Sequence, residues 1–225
     1  MSLWQDAREL LAEAIDIVQM IPGGLSGWEW TIARFEAQDR LRPPPAGAIV
    51  FTGSSSITFW KTLAEDMAPL PVINRGFGGS KIDQVARFVD RIVLPYRPSA
   101  VVLFAGTNDI AGPKPATAEQ VFQGYLAFVE NVRAALPEAP IYYISITPAP
   151  SRWKLWPIAR EANERIRAYS DAHPHLHFID LTDAILGPNG KPDRSLFRID
   201  RLHPNKRGYA VWTAVIKPVL QADLA

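Results

Sequence analysis

Five short apolar runs, rich in β-branched residues, constrain the architecture of this chain more than any other feature. They are Ala48 to Phe51, Pro71 to Ile73, Ala100 to Phe104, Ile141 to Ile146 and Leu176 to Ile179. Each is followed by a turn and then a longer amphipathic stretch. Runs of this kind read as strands buried on both faces, as in a parallel sheet. Strands that alternate with helices predict an α/β protein, a three-layer α/β/α sandwich around a five-stranded parallel sheet. Helix starts are signalled by Ser80 with Asp83 three residues on, by Thr117 with Gln120 three on, and by Asn205 before the last helix.

Ahead of the first run, Leu10, Leu11, Ala14, Ile15, Val18 and Ile21 recur at helical spacing, which predicts a leading helix from Ala7 to Ile21 that stops at Pro22-Gly23-Gly24. A loop with Trp28 and Trp30 is expected next. A polar segment then closes in Arg42-Pro43-Pro44-Pro45, an extended connector. The expected organisation is one domain over residues 1–225, with residues 1–45 wrapping a core formed by residues 46–225.

The chain's 225 residues suit one α/β domain. Lys and Arg number 24 against 23 Asp and Glu, so no basic footprint points to nucleic acid. The absence of cysteine removes disulfides, thiolate nucleophiles and cysteine metal sites together. Arg8, Glu9, Glu13 and Asp16 interrupt the first apolar stretch, and no run of 18 apolar residues occurs, so neither a signal peptide nor a membrane span is expected. The expected location is cytoplasmic.

In open parallel sheets, ligands collect at the carboxyl ends of the strands, where loops and helix N-termini gather. There the first strand delivers Gly53-Ser54-Ser55-Ser56, the second Asn74-Arg75-Gly76-Phe77-Gly78-Gly79-Ser80, and the third Gly106-Thr107-Asn108-Asp109. The fourth exits into Thr147 to Trp156, and the loop before the last helix holds Asp200-Arg201-Leu202-His203. A serine triplet after a strand is commonly a turn and helix cap. Asn108-Asp109 alone would be an Asx turn. Asp200 and His203 are spaced so that a carboxylate can orient an imidazole. Taken together the segments supply a nucleophile, a base with its acid, and oxyanion donors, the inventory of acyl transfer. The chemistry does not choose among Ser54, Ser55 and Ser56. His173, His175 and His177 raise a metal reading, but Pro174 places them in a solvated entry loop, and no metal or other cofactor is expected.

In order and content these segments resemble the SGNH hydrolases, the GDSL esterase/lipase family, from about Ala48 to the last helix. Gly53-Ser54-Ser55 stands where that family has Gly-Asp-Ser, with Ser54 in place of the Asp. Asn74 through Gly79 matches Asn-x-Gly-x-Gly-Gly, Gly106 through Asp109 matches Gly-x-Asn-Asp, and Asp200 through His203 matches Asp-x-x-His. The resemblance implies a flavodoxin-like sheet, Ser55, Asp200 and His203 as catalytic residues, and an oxyanion hole of Ser55, Gly79 and Asn108. It also implies a serine esterase for small-molecule esters of short acyl or acetyl groups. An acyltransferase with the same triad and a non-catalytic carbohydrate-binding module are the alternatives. Arg152, Trp153 and Trp156 are expected on a wall of the substrate site.

Overall fold

The computed structural model describes residues 25–224, so the helix expected over Ala7–Ile21 lies outside the described residues. The five apolar runs form β1 (Ile49–Gly53), β2 (Val72–Gly76), β3 (Val101–Phe104), β4 (Ile141–Ile144) and β5 (Leu176–Ile179). All neighbours pair in parallel, in the order β2-β1-β3-β4-β5. The sheet therefore grows in one direction from β1 to β2 and in the other from β1 through β3. Its switch point lies between β1 and β3, and Gly53 is in register with both Gly76 and Phe104, so three strand ends finish level.

Strand residues alternate between two cores, as a period of two requires. Val50, Ile73, Val101, Leu103, Ile141 and Tyr143 point to one face. Ile49, Phe51, Val102, Phe104, Tyr142 and Ile144 point to the other. Burial on both faces explains why the runs lack polar alternation. Phe51 is fully buried, and its truncation to alanine would cost about 3 to 5 kcal/mol.

The helices are α1 (Leu25–Leu41), α2 (Ser55–Thr58), α3 (Leu63–Met67), α4 (Ile82–Arg87), α5 (Val89–Ile92), α6 (Ala118–Arg133), α7 (Trp156–Asp171), α8 (Thr182–Ile185) and α9 (Lys206–Leu224). Residues of α1, α4, α5, α6 and α7 pack into the first core, and residues of α2, α3, α8 and α9 into the second. Two of the three start signals act where expected. Thr117 and Gln120 form a reciprocal capping box, and the Asn205 side chain accepts the N–H groups of Arg207 and Gly208. At Ser80 the expectation is corrected: α4 starts one residue later, the Lys81 N–H donates to Gln84, and the Ser80 hydroxyl turns back to the Gly53 carbonyl.

The larger correction is α1, where a tryptophan loop and polar segment were expected. Trp28, Ile32 and Phe35 follow helical spacing and face the first core. What docks the helix is long-range. Arg75, nearly buried on β2, binds Asp39 at 2.5 Å, donates to the Tyr96 hydroxyl at 2.7 Å, and packs its guanidinium against the rings of Phe35 and Tyr96. Arg91 holds Glu36 and Glu29, each at 2.6 Å. The proline tract, without regular structure, and a turn at 46–47 then lead into β1.

Candidate active site

The β1 end sets the first group. Ser54 is extended and precedes α2, a single turn that begins with Ser55. Gly53 has φ +133, and a Cβ there would sit 2.0 Å from the Phe104 carbonyl oxygen, so a side chain at this position would block the close passage of β1 against β3. The turn is held from outside as well. Asn74 donates to the Ile57 carbonyl at 2.5 Å, and the Tyr209 hydroxyl of α9 donates to the Ser56 carbonyl at 2.8 Å.

The base arrives on the loop before α9. Ser55 Oγ and His203 Nε2 are 2.8 Å apart, and His203 Nδ1 lies 2.5 Å from Asp200 Oδ2. Of the three serines, Ser55 is the one in contact with the imidazole. Asp200 Oδ1 also accepts the N–H groups of Leu202 and His203, at 2.8 and 3.0 Å. Burial alone would raise the Asp200 carboxyl, but these hydrogen bonds, led by that from His203, outweigh it and hold it below the usual carboxylate value. The carboxylate is thus kept charged beside the imidazole, and its bond to Nδ1 directs Nε2 to the serine.

Two further segments close around this pair. The Phe77 N–H and the Ser80 hydroxyl both donate to the Gly53 carbonyl, which brings the glycine loop between them against the β1 end. Asn108 donates to the Ser80 carbonyl at 3.0 Å. Asp109 receives the Ile82 N–H on both carboxylate oxygens and so ties the third block to the start of α4. Within the described residues no hydrogen bond engages the N–H of Ser55 or of Gly79. The two remain open as donors for a ligand.

A cavity of about 10 Å³ lies at this junction, beside Ser55, Asn108 and His203 and walled by Phe104, Ala149 and Leu202. Thr107 also lines it, with a buried hydroxyl that has no protein partner. From the fourth strand exit, Thr147 and Ala149 reach the cavity, whereas Arg152, Trp153 and Trp156 do not line it. The Arg152 guanidinium donates to the Thr107 carbonyl at 2.8 Å, and the two indoles stack on one another.

The geometry can be compared with known proteins. Residues 46–211 match the GDSL-like lipase/acylhydrolase family. The chain belongs to this family. Among relatives, the platelet-activating factor acetylhydrolase IB subunit alpha1 of Homo sapiens is 30% identical over 188 residues, 78% of this chain and 75% of that protein. A GDSL-like lipase structure from Bacteroides thetaiotaomicron has a TM-score of 0.74 at 23% identity, covering 85% of this chain and 98% of its own. A lipase/acylhydrolase structure from Enterococcus faecalis has a TM-score of 0.63 at 18% identity, covering 78% and 96%. At these identities the two structures share the fold. Membership of the family makes the chain a GDSL-type acylhydrolase, a hydrolase acting on esters, and no helix among the described residues is long and apolar enough to cross a membrane.

Other side chains of this GDSL-type chain were not found from sequence. Phe59 packs edge-on to the His203 ring, with centroids 4.9 Å apart. Ser151 directs both its N–H and its hydroxyl to the Arg201 carbonyl, and Arg201 occupies the left-handed region at φ 57. A non-glycine residue there costs about 1 to 3 kcal/mol, which these two bonds help to offset. Positive φ in the middle of Asp-x-x-His has no local sequence signal. The three other histidines go separate ways: His173 to Tyr169, His175 to Glu138, and His177 against Tyr142.

Proposed function

We propose that this chain is a serine esterase for short acyl esters, acting through an acyl-enzyme on Ser55. The observation that carries the reading is the unbroken hydrogen-bonded line from Ser55 Oγ through His203 to Asp200. Ser55 Oγ attacks the acyl carbon as His203 Nε2 takes its proton, and Asp200 stabilises the imidazolium. The negative oxygen of the tetrahedral intermediate is met by the N–H groups of Ser55 and Gly79 and by the Asn108 amide. Collapse breaks the carbon–oxygen bond to the alcohol, which leaves with the proton from His203. Water, deprotonated by the same imidazole, then releases the acid.

The cavity beside Ser55 is about the size of one water, which suits a methyl and leaves little room for a long chain. The acetylhydrolase name of the human relative agrees with that size. We assign the alcohol portion to the space outside this cavity, with Arg152, Trp153 and Trp156, which lie beyond its lining, as the residues that would meet it.

A panel of p-nitrophenyl esters of increasing acyl length, run beside Ser55→Ala, tests the reading. The expected result is fastest turnover for acetate, falling steeply with chain length, and a loss of about 10⁴-fold or more for Ser55→Ala. A Ser55→Ala protein that still turns over acetate at the parent rate would overturn it.

A further inference from the structure

Gly78 and Gly79 share one peptide unit, and the two ends of that unit meet different partners. The Gly78 carbonyl accepts a hydrogen bond from the indole Nε1–H of Trp28 at 3.2 Å, across 50 residues of chain. The Gly79 N–H has no partner within the described residues. A trans peptide is planar, so its C=O and N–H point in opposite directions. Whatever fixes the carbonyl fixes the N–H as well. A glycine pair needs such fixing, because without side chains it rotates more freely than any other dipeptide, and Gly79 at φ +76 already stands where few other residues do.

We infer that Trp28 is a positioning residue for the oxyanion hole: by holding the Gly78 carbonyl outward, its indole keeps the Gly79 N–H aimed at the reacting oxygen. This rests on the proposed esterase reading, in which that N–H is a donor. Trp28 is itself well placed to act as a fixed point. Its ring packs partly buried against the first core, one turn before Ile32, and the helix that carries it is clamped by Arg75 and Arg91. The Arg75 clamp sits on β2, directly ahead of the glycine loop. The helix and the loop it steadies are therefore anchored to the same strand. Trp28 also lies outside residues 46–211, the part of the chain that matches the family. On this inference α1 belongs to the catalytic apparatus although it carries none of the reacting groups.

Pre-organisation of a donor acts on the transition state more than on the bound ester, so its loss lowers kcat and leaves KM in place. The test is Trp28→Phe, which keeps an aromatic ring on the core and removes the donor. Rates are expressed per site titrated by an organophosphonate, so that unfolded protein does not count. Trp30→Phe, at an exposed position on the same helix, is the control. The expected result is a fall in kcat of about tenfold with KM within about twofold, and an equal slowing of phosphonylation, whose negative oxygen enters the same hole. Trp30→Phe stays at the parent value. Parent kcat and phosphonylation rate in Trp28→Phe, or a change in KM alone, overturns the role of Trp28. The esterase reading fails separately, if Ser55→Ala remains active.

Discussion

Two concavities occupy opposite edges of the sheet, and they differ in nearly every respect. The one at the carboxyl ends of β1 and β3 has a volume of about 10 Å³. The one at the other edge, beside the proline tract that leads into β1, has about 660 Å³ and is bounded by Arg40, Pro43, Pro44 and Tyr96. Size alone would select the second. Yet two of its carboxylates are already spent on structure: Asp39 on Arg75 and Tyr96, and Glu36 on Arg91. The small one gathers an imidazole, a hydroxyl and an amide at one point, the first two in contact with each other. Convergence of polar groups, rather than volume, separates a reaction centre from a surface fold.

The comparison can be broken most directly at Asn108. Asn108→Ala removes a donor from the small cavity and should lower kcat by about a hundredfold or more, with KM little changed. Steady-state kinetics at saturating acetate ester measure it, and near-parental kcat would remove the amide from the hole.

A smaller effect sharpens the picture of how the rim is held. Asp109 is buried, and burial, reinforced by Asp83, pushes its carboxyl up to about 6 despite the Ile82 N–H. The folded protein thus holds this proton more tightly than the unfolded chain does. Its buried charge costs stability above about pH 6, and the cost fades as pH falls toward the ordinary carboxylate value. Asp109→Asn should therefore match the parent near pH 4 and exceed it by about 2 to 3 kcal/mol at pH 7. Urea unfolding at both values checks this, and a difference independent of pH would contradict it.

The smallest effect is expected on the wide edge. Arg40→Ala, at an exposed position on its wall, should leave kcat unchanged and stability within about 0.5 kcal/mol. A clear loss of turnover would mean that the large groove communicates with the rim after all.

How much of this was legible in the chain depends on whether the signal is local. The strands were, because burial on both faces leaves unbroken apolar runs such as Val101 to Phe104. The pairing of Asp200 with His203 was, because three residues in a turn suffice to bring them together. The selection of Ser55 over its neighbours was not legible from chemistry alone, since only the contact with a ring 148 residues away distinguishes it. Helix α1 was missed although Trp28, Ile32 and Phe35 carried its period, because the glycines before it and the prolines after it suggested a wrap. Its clamps to Arg75 and Arg91 span 36 and 55 residues. Phe59, Ser151 and Tyr209 support the site through contacts of the same long-range kind, and no spacing rule announces them.

The bond from Tyr209 to the Ser56 carbonyl bears on how such a protein is born. A ribosome releases the hydroxyl of Ser55 148 residues ahead of the imidazole of His203. Until His203 has emerged, the turn lacks both its imidazole partner and the brace that α9 supplies. On the proposed reading the reacting pair is complete only when α9 lies against the turn and Tyr209 braces it.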